Sequence, residues 1–396
     1  MLKNNKRIIL FFLVLAIVLN FSFKVYEYRS DIFKKFDAKY WEERYQQSQW
    51  ANSGKGCNVY DPHINPKTCV WDDNWYMLHK NEKFTPTKIN PIGDDGLYIY
   101  AGYLYAKGLN PAMLNAEIPP LGKYLIGFFE IYSGYLGIFS LFFSALTLVF
   151  FYLLNSSIFK SKTVALIPVL LFSLDRLFIE QIRAPFLDTM LTASLFLSLF
   201  LLVKKKYLGG ILAGVFMATK SPFLGVLLFV AYFIYLFISK EFSVKKYISF
   251  LALAVATYVL SYFKLIISQG PIYFLKVQKY IVSFYGSGAK PIIGAVFPVI
   301  LFGYWSTWWG PQTRVIEWSP FWAVALILSS YAIYSILRRK TGGGLLLISL
   351  WIMVYIVFLI FTPLFPRYLL LLLPFMYNLA VWILFEGTGW ISQFRL

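Results

Sequence analysis

Two adjacent carboxylates, Asp94 and Asp95, stand behind the turn signal Asn90-Pro91-Ile92-Gly93 and ahead of an aromatic helical run that reaches Tyr105. Three cations, Arg183, Lys220 and Arg367, lie within or at the edge of apolar runs. A charge near a membrane is costly and is usually paired or functional. These residue types suit a group transfer from phosphate. Arg grips a phosphate with two parallel hydrogen bonds, and Lys acts as a point charge. Phosphate is a good leaving group, so a single carboxylate that takes the proton from an incoming hydroxyl is sufficient. The cations offset charge developing on the departing phosphate. For a sugar on a polyprenyl phosphate, one attack inverts the anomeric carbon, and the second carboxylate of glycoside hydrolysis is not required. Plainer readings stand beside this one. Asp is favoured at a helix N-terminus, and Asp175 with Arg176 could be a salt bridge holding helix ends.

The elements that position these groups are membrane spans. Of 396 residues, 59% are hydrophobic and 14% charged, against about 25% charged in soluble domains. The net charge of +18 sits largely in short loops between apolar runs, the positive-inside pattern. This argues against nucleic-acid binding. Apolar runs fall at about 8–23, 131–154, 163–179, 186–203, 207–219, 221–239, 247–268, 320–337, 344–362 and 367–385. A span needs about 20 apolar residues, so 207–219 is short and could be a tilted half-helix or one arm of a re-entrant pair. The first run follows Lys3, Lys6 and Arg7 without a small-residue cleavage site, which predicts a signal anchor with its N-terminus in the cytoplasm.

From that start, the basic loops at 155–162, 204–206, 240–246 and 338–340 all fall in the cytoplasm. The other face receives Asp94, Asp95, Glu117, Asp175, Arg176, Glu180, Arg183, Asp188, Lys220 and Arg367. The predicted division is therefore 1–23, cytoplasmic N-terminus and first helix; 24–126, a first external loop with the Asp pair; 127–268, a transmembrane core; 269–318, a second external loop; and 319–396, C-terminal helices. Cys57 and Cys69 lie in the first loop and are disulfide candidates if it is extracytoplasmic. With His63 and His79 they match no familiar zinc spacing.

Several motifs, in order, resemble the GT-C superfamily of integral-membrane glycosyltransferases. The chain is most similar to the protein O-mannosyltransferase type, with the lipid A aminoarabinose transferase type as a relative. Asp94-Asp95-Gly-Leu-Tyr resembles the family's Asp-Glu motif in the first external loop, with Asp95 in place of Glu. Glu117-Ile-Pro-Pro-Leu-Gly-Lys123 is similar to His-Pro-Pro-Leu-x-Lys, with Ile118 replacing the His. Arg183 and Asp188 fall on an Arg-x4-Asp-Ser/Thr motif. Gly214 to Lys220 resembles a small-residue helix ending in Lys, Tyr304-Trp-Ser-Thr-Trp-Trp309 a Ser-x-Trp-Trp stretch, and Arg367-Tyr368 an Arg-Tyr near the last spans.

The resemblance implies an all-α GT-C fold of about ten transmembrane helices and two large external loops. It also implies an inverting transfer of a sugar, mannose in the nearest type, from a dolichyl-like polyprenyl phosphate to a protein Ser or Thr hydroxyl. Asp94 is then the base and Asp95 its partner. Arg183, Lys220 and Arg367 take the donor phosphate. Glu117, Lys123, Asp175, Arg176, Asp188 and Trp308 support the site or bind acceptor. No cofactor is required, and metal dependence stays open because Asp94, Asp95 and Glu117 could bind a divalent ion. The setting implied is a prokaryotic cytoplasmic membrane with the site outside. The alternatives are a glycolipid or surface-glycan acceptor, or a transporter of anionic lipid-linked solutes. The absence of an evident internal repeat argues against the transporter.

Overall fold

The computed structural model describes residues 2–48, 50, 64–65, 70–71, 92–287, 290–307, 311–339 and 342–387. Cys57, Cys69, His63, His79 and Trp308 lie outside the described residues. Three helices are long and apolar enough to cross a membrane: the apolar part of α1 (Leu2–Glu27), α6 (Ile138–Ser156) and α16 (Pro320–Arg338). The pair α12 (Val244–Leu260) and α13 (Phe263–Gln269) passes the same test together; bent by 63°, it has the form of a broken span or a re-entrant loop. Six shorter apolar helices pack beside them: α7 (Lys162–Ser173), α9 (Asp188–Val203), α10 (Gly209–Thr219), α11 (Pro222–Ile238), α17 (Gly344–Ile360) and α18, which begins at Leu373–Trp382. The chain is a membrane-spanning helical bundle, and its apolar segments match the predicted runs one for one.

The remaining helices lie outside these ten apolar segments. They are α2 (Arg29–Ile32), α3 (Ala38–Gln46), α4 (Asp94–Ala106), α5 (Leu121–Ser133), α8 (Arg176–Glu180), α14 (Pro271–Ser287) and α15 (Val296–Phe302). Two antiparallel ladders of two-residue strands join them, β1 (Ile64–Asn65) with β2 (Val70–Trp71) and β3 (Tyr304–Trp305) with β4 (Thr313–Arg314).

The bundle is centred on the last helix. Residues 369 to 383 form an unbroken buried run, as expected of a helix that is apolar all round. Its polar side chains are paired: Asn378 donates to Asn155, and Tyr377 to Asp175. The helix α10 has 11 residues, or about 16 Å at 1.5 Å per residue, roughly half a bilayer core. Added side chains at Gly210 and Gly214 would strike the carbonyls of Phe250 and Ala254, so these glycines allow α10 to lie directly on α12.

Three boundaries differ from the sequence expectation, each for a local reason. The run 131–154 is divided because Gly134, at φ 76°, ends α5 in a left-handed cap. The run 163–179 stops at Ser173, and Asp175 starts a separate helix by accepting from Leu177 N at 2.8 Å. The run 367–385 begins with a 3-10 turn, Pro366–Leu371, before α18.

Candidate active site

Asp94 is the first residue of α4, and no side chain caps that helix through a hydrogen bond. The Asp94 carboxylate is turned instead to Arg367, whose Nη2 donates to it across 273 residues of sequence. Arg367 sits at the start of the 3-10 turn, with its guanidinium 4.9 Å from the Phe365 ring and 5.5 Å from the Phe186 ring. Its Nε lies 3.9 Å from Asp188 Oδ2. Asp188 Oδ1 accepts from Lys220 Nζ at 2.5 Å, and Lys220 lies 5.1 Å over the Tyr368 ring. Four charges thus form one chain, Asp94–Arg367–Asp188–Lys220. The Lys220 and Asp188 side chains are 8% and 4% exposed, while Asp94 is 42% exposed. The carboxylate proposed as base is the accessible end, and the buried end is locked. Burial works against the charge on Arg367, but Asp188 and Asp94 more than offset this and keep it protonated. Among the described residues, Arg367 Nε and the second oxygen of Asp188 are buried and make no hydrogen bond.

The elements explain this convergence. Pro185 ends the turn that follows α8, and Asp188 opens α9, where a carboxylate is favoured by the helix dipole. Lys220 closes α10 and Pro222 opens α11, so the lysine occupies a break between two short helices. Backbone around Pro366 brings Arg367 over both.

Next to this chain lies a second polar network. Lys123 Nζ donates to Asn115 O at 2.5 Å, Ile118 O at 2.8 Å and Asn115 Oδ1 at 2.9 Å, while Asn115 Nδ2 donates to Glu117 at 2.5 Å. Asn115 is left-handed at φ 50°, a conformation Asn tolerates. Tyr105 OH closes the same loop on the carbonyls of Pro111 and Leu114. Burial raises the Glu117 carboxyl, partly offset by Lys123, and lowers the Lys123 amine to about 7, opposed by Glu117. Three oxygens of the loop lie within hydrogen-bond reach of Lys123 Nζ, so its role here is to hold residues 115–118 against α5.

Asp95 and Arg183 line a neighbouring cleft of about 500 Å3, together with Arg314 and one side of Arg367. Arg183 pairs with Glu180 at 3.1 Å and Asp31 at 3.5 Å and is 48% exposed. Those ion pairs tie α8 to α2. Asp175 and Arg176 are not paired with each other. Asp175 is buried and accepts from Tyr377 OH at 2.5 Å and Trp322 Nε1 at 2.8 Å, and Arg176 is exposed. Among the described residues, no three His, Cys, Asp or Glu side chains converge on one point.

Sequence reasoning missed several neighbours. Phe186, Phe365 and Tyr368 sandwich the cations, and Asp31 holds Arg183. Glu130, on α5, is 1% exposed, and neither carboxylate oxygen has a hydrogen-bond partner among the described residues. Its place after Phe128-Phe129 in an amphipathic helix was the one available signal.

No protein-family model matches this chain, and no curated protein matches it. Solved structures do. The chain is similar to ArnT from Cupriavidus metallidurans in its structure bound to undecaprenyl phosphate, with a TM-score of 0.56 at 14% identity. The apo structure of ArnT matches with the same TM-score at 15% identity. Each match covers 77% of this chain and 57% of ArnT, so the chain spans little more than half the length of the protein it matches. At this identity the likeness concerns architecture: the chain shares the fold of ArnT over the matched residues.

Proposed function

We propose that the protein is an inverting glycosyltransferase that moves a sugar from a polyprenyl phosphate to a hydroxyl acceptor at the outer face of the membrane. The observation that carries this reading is the charge chain. A single buried carboxylate, Asp188, holds Lys220 and Arg367 side by side, and Arg367 reaches the accessible Asp94. The fold, shared with an ArnT that binds undecaprenyl phosphate, supports the donor class.

The four groups are balanced, two cations against two carboxylates. An incoming phosphate would compete with Asp94 for Arg367, because Asp94 engages the guanidinium through one hydrogen bond and a phosphate can take two in parallel. Asp94 is then released next to the bound donor. The acceptor oxygen attacks the anomeric carbon, its proton passes to Asp94, and the bond between that carbon and the phosphate oxygen breaks. The electron pair leaves with the polyprenyl phosphate, and Lys220 and Arg367 offset its charge. Asp95, facing the cleft, orients the acceptor. Mannose as the sugar and protein Ser or Thr as the acceptor rest on the motif resemblance alone, as does a prokaryotic cytoplasmic membrane as the setting.

The test is transfer from a polyprenyl-phosphate sugar in reconstituted vesicles. Asp94→Asn is expected to lower the rate at least about a hundredfold, the scale of general-base loss, with donor binding retained. Retained transfer would remove Asp94 from the mechanism. Loss of donor binding together with transfer would make it a structural partner of Arg367.

A further inference from the structure

A second cavity, of about 600 Å3, lies on the other side of α8 from the charge chain. Its walls are α7, α16 and α18, represented by Leu174, Trp318, Val324, Ala325 and Ala380. The short helix α8 divides the two spaces. Leu177 and Glu180 line the cleft next to Asp95, while Asp175 and Arg176 line this cavity. A ligand here is therefore screened from Asp94 by a turn of helix.

The cation at its rim has no counter-ion among the described residues. Arg176 is exposed and makes no ion pair among the described residues. The adjacent carboxylate cannot serve, because Asp175 is committed to Leu177 N, Trp322 and Tyr377. The walls belong to membrane helices; α16 is long and apolar enough to cross the bilayer. At the end of a span an unpaired guanidinium meets lipid headgroups, and an apolar crevice below it meets acyl chains. A phosphodiester satisfies Arg as a carboxylate would, by charge-assisted hydrogen bonds.

We propose that this cavity binds a bilayer phospholipid, with the phosphate on Arg176 and one acyl chain along α16 and α18. Such a lipid stabilises the joint at which Asp175, Trp322 and Tyr377 meet, and so supports the bundle next to the active site. This site is independent of the glycosyltransferase reading, because it uses none of the residues in the charge chain.

The experiment is thermal unfolding of the full-length protein in detergent, titrated with phosphatidylglycerol, with diacylglycerol of the same chains, or with undecaprenyl phosphate. Native mass spectrometry of the same samples counts bound lipid. Phosphatidylglycerol is expected to raise the midpoint in proportion to ln(1 + [L]/Kd), and diacylglycerol to leave it in place. Arg176→Gln removes a charge-assisted contact and should weaken the apparent affinity about tenfold or more. Val324→Trp, at a half-exposed wall position (49%), fills the crevice with Arg176 intact and should abolish the shift. Equal stabilisation by diacylglycerol, an unchanged affinity in Arg176→Gln, or an unchanged shift in Val324→Trp would each overturn the proposal. Undecaprenyl phosphate competing for this site more tightly than phosphatidylglycerol would overturn it too, and would make the cavity a donor site.

Discussion

Asp188→Asn removes the carboxylate that Lys220 and Arg367 share. The Lys220–Asp188 pair is 2.5 Å apart, with both side chains under a tenth exposed. Replacing one partner strands the other charge in a place water does not reach. That costs about 3–5 kcal/mol for a buried pair, a large fraction of the roughly 5–15 kcal/mol that holds a folded domain. Lys220→Met should cost less, since Arg367 Nε stays 3.9 Å from Asp188. The double variant Asp188→Asn with Lys220→Met strands neither, so its cost should fall short of the sum by about 2–3 kcal/mol, the upper range of contacting pairs. Denaturant or thermal unfolding of the four proteins in one detergent provides the cycle. Transfer should be lost in all three variants, so recovered stability without recovered activity is the expected signature. Additivity within about 0.5 kcal/mol would show that the pair is not coupled, and the idea of Asp188 as a buried clamp would fail.

Further outcomes follow from the neighbouring packing. A methyl group at Gly127 would strike backbone atoms of Gly102 and Tyr103. Gly127→Ala should therefore push α4 from α5, cost about 1–3 kcal/mol and slow transfer by moving Asp94; an unchanged midpoint would disprove the close crossing. Burial lowers Lys123 to about 7, below its value of about 10.4 in the unfolded chain. Between those values the unfolded chain binds the extra proton, so stability should rise with pH. Lys123→Met should remove that slope, and a wild-type midpoint flat from pH 7 to 10 would contradict it. Burial holds the Glu130 carboxyl well above the usual carboxylate range, without a partner. Glu130→Leu should stabilise the protein by about 1 kcal/mol, by ending the burial of an unpaired polar group; a lower midpoint would show that Glu130 has a partner of its own.

The membrane class and the ten apolar segments were legible in the sequence, because hydrophobic runs and the lysines that bound them are local properties of the chain. The candidate base was also legible, as a carboxylate pair behind a turn. Its alternative role as a helix cap was not decidable until the Asp94 side chain was seen to face Arg367. The cations are a mixed case. Lys220 and Arg367 stood out as charges within apolar surroundings, and the fold brings them together. Arg183 stood out for the same reason, yet it pairs with Asp31 and Glu180, because a charge pattern does not state which carboxylate is nearest in space. Asp175 and Arg176 are adjacent in sequence and part company in the fold: one is buried under Trp322 and Tyr377, the other left at the rim of a cavity. What the sequence by itself determined is which residues carry unusual charge in an apolar setting. Only the tertiary structure decided their partners, since the contacts from Asp94 to Arg367 and from Lys220 to Asp188 span 273 and 32 residues and depend on where the turns at Pro185, Lys220 and Pro366 bring the helix ends.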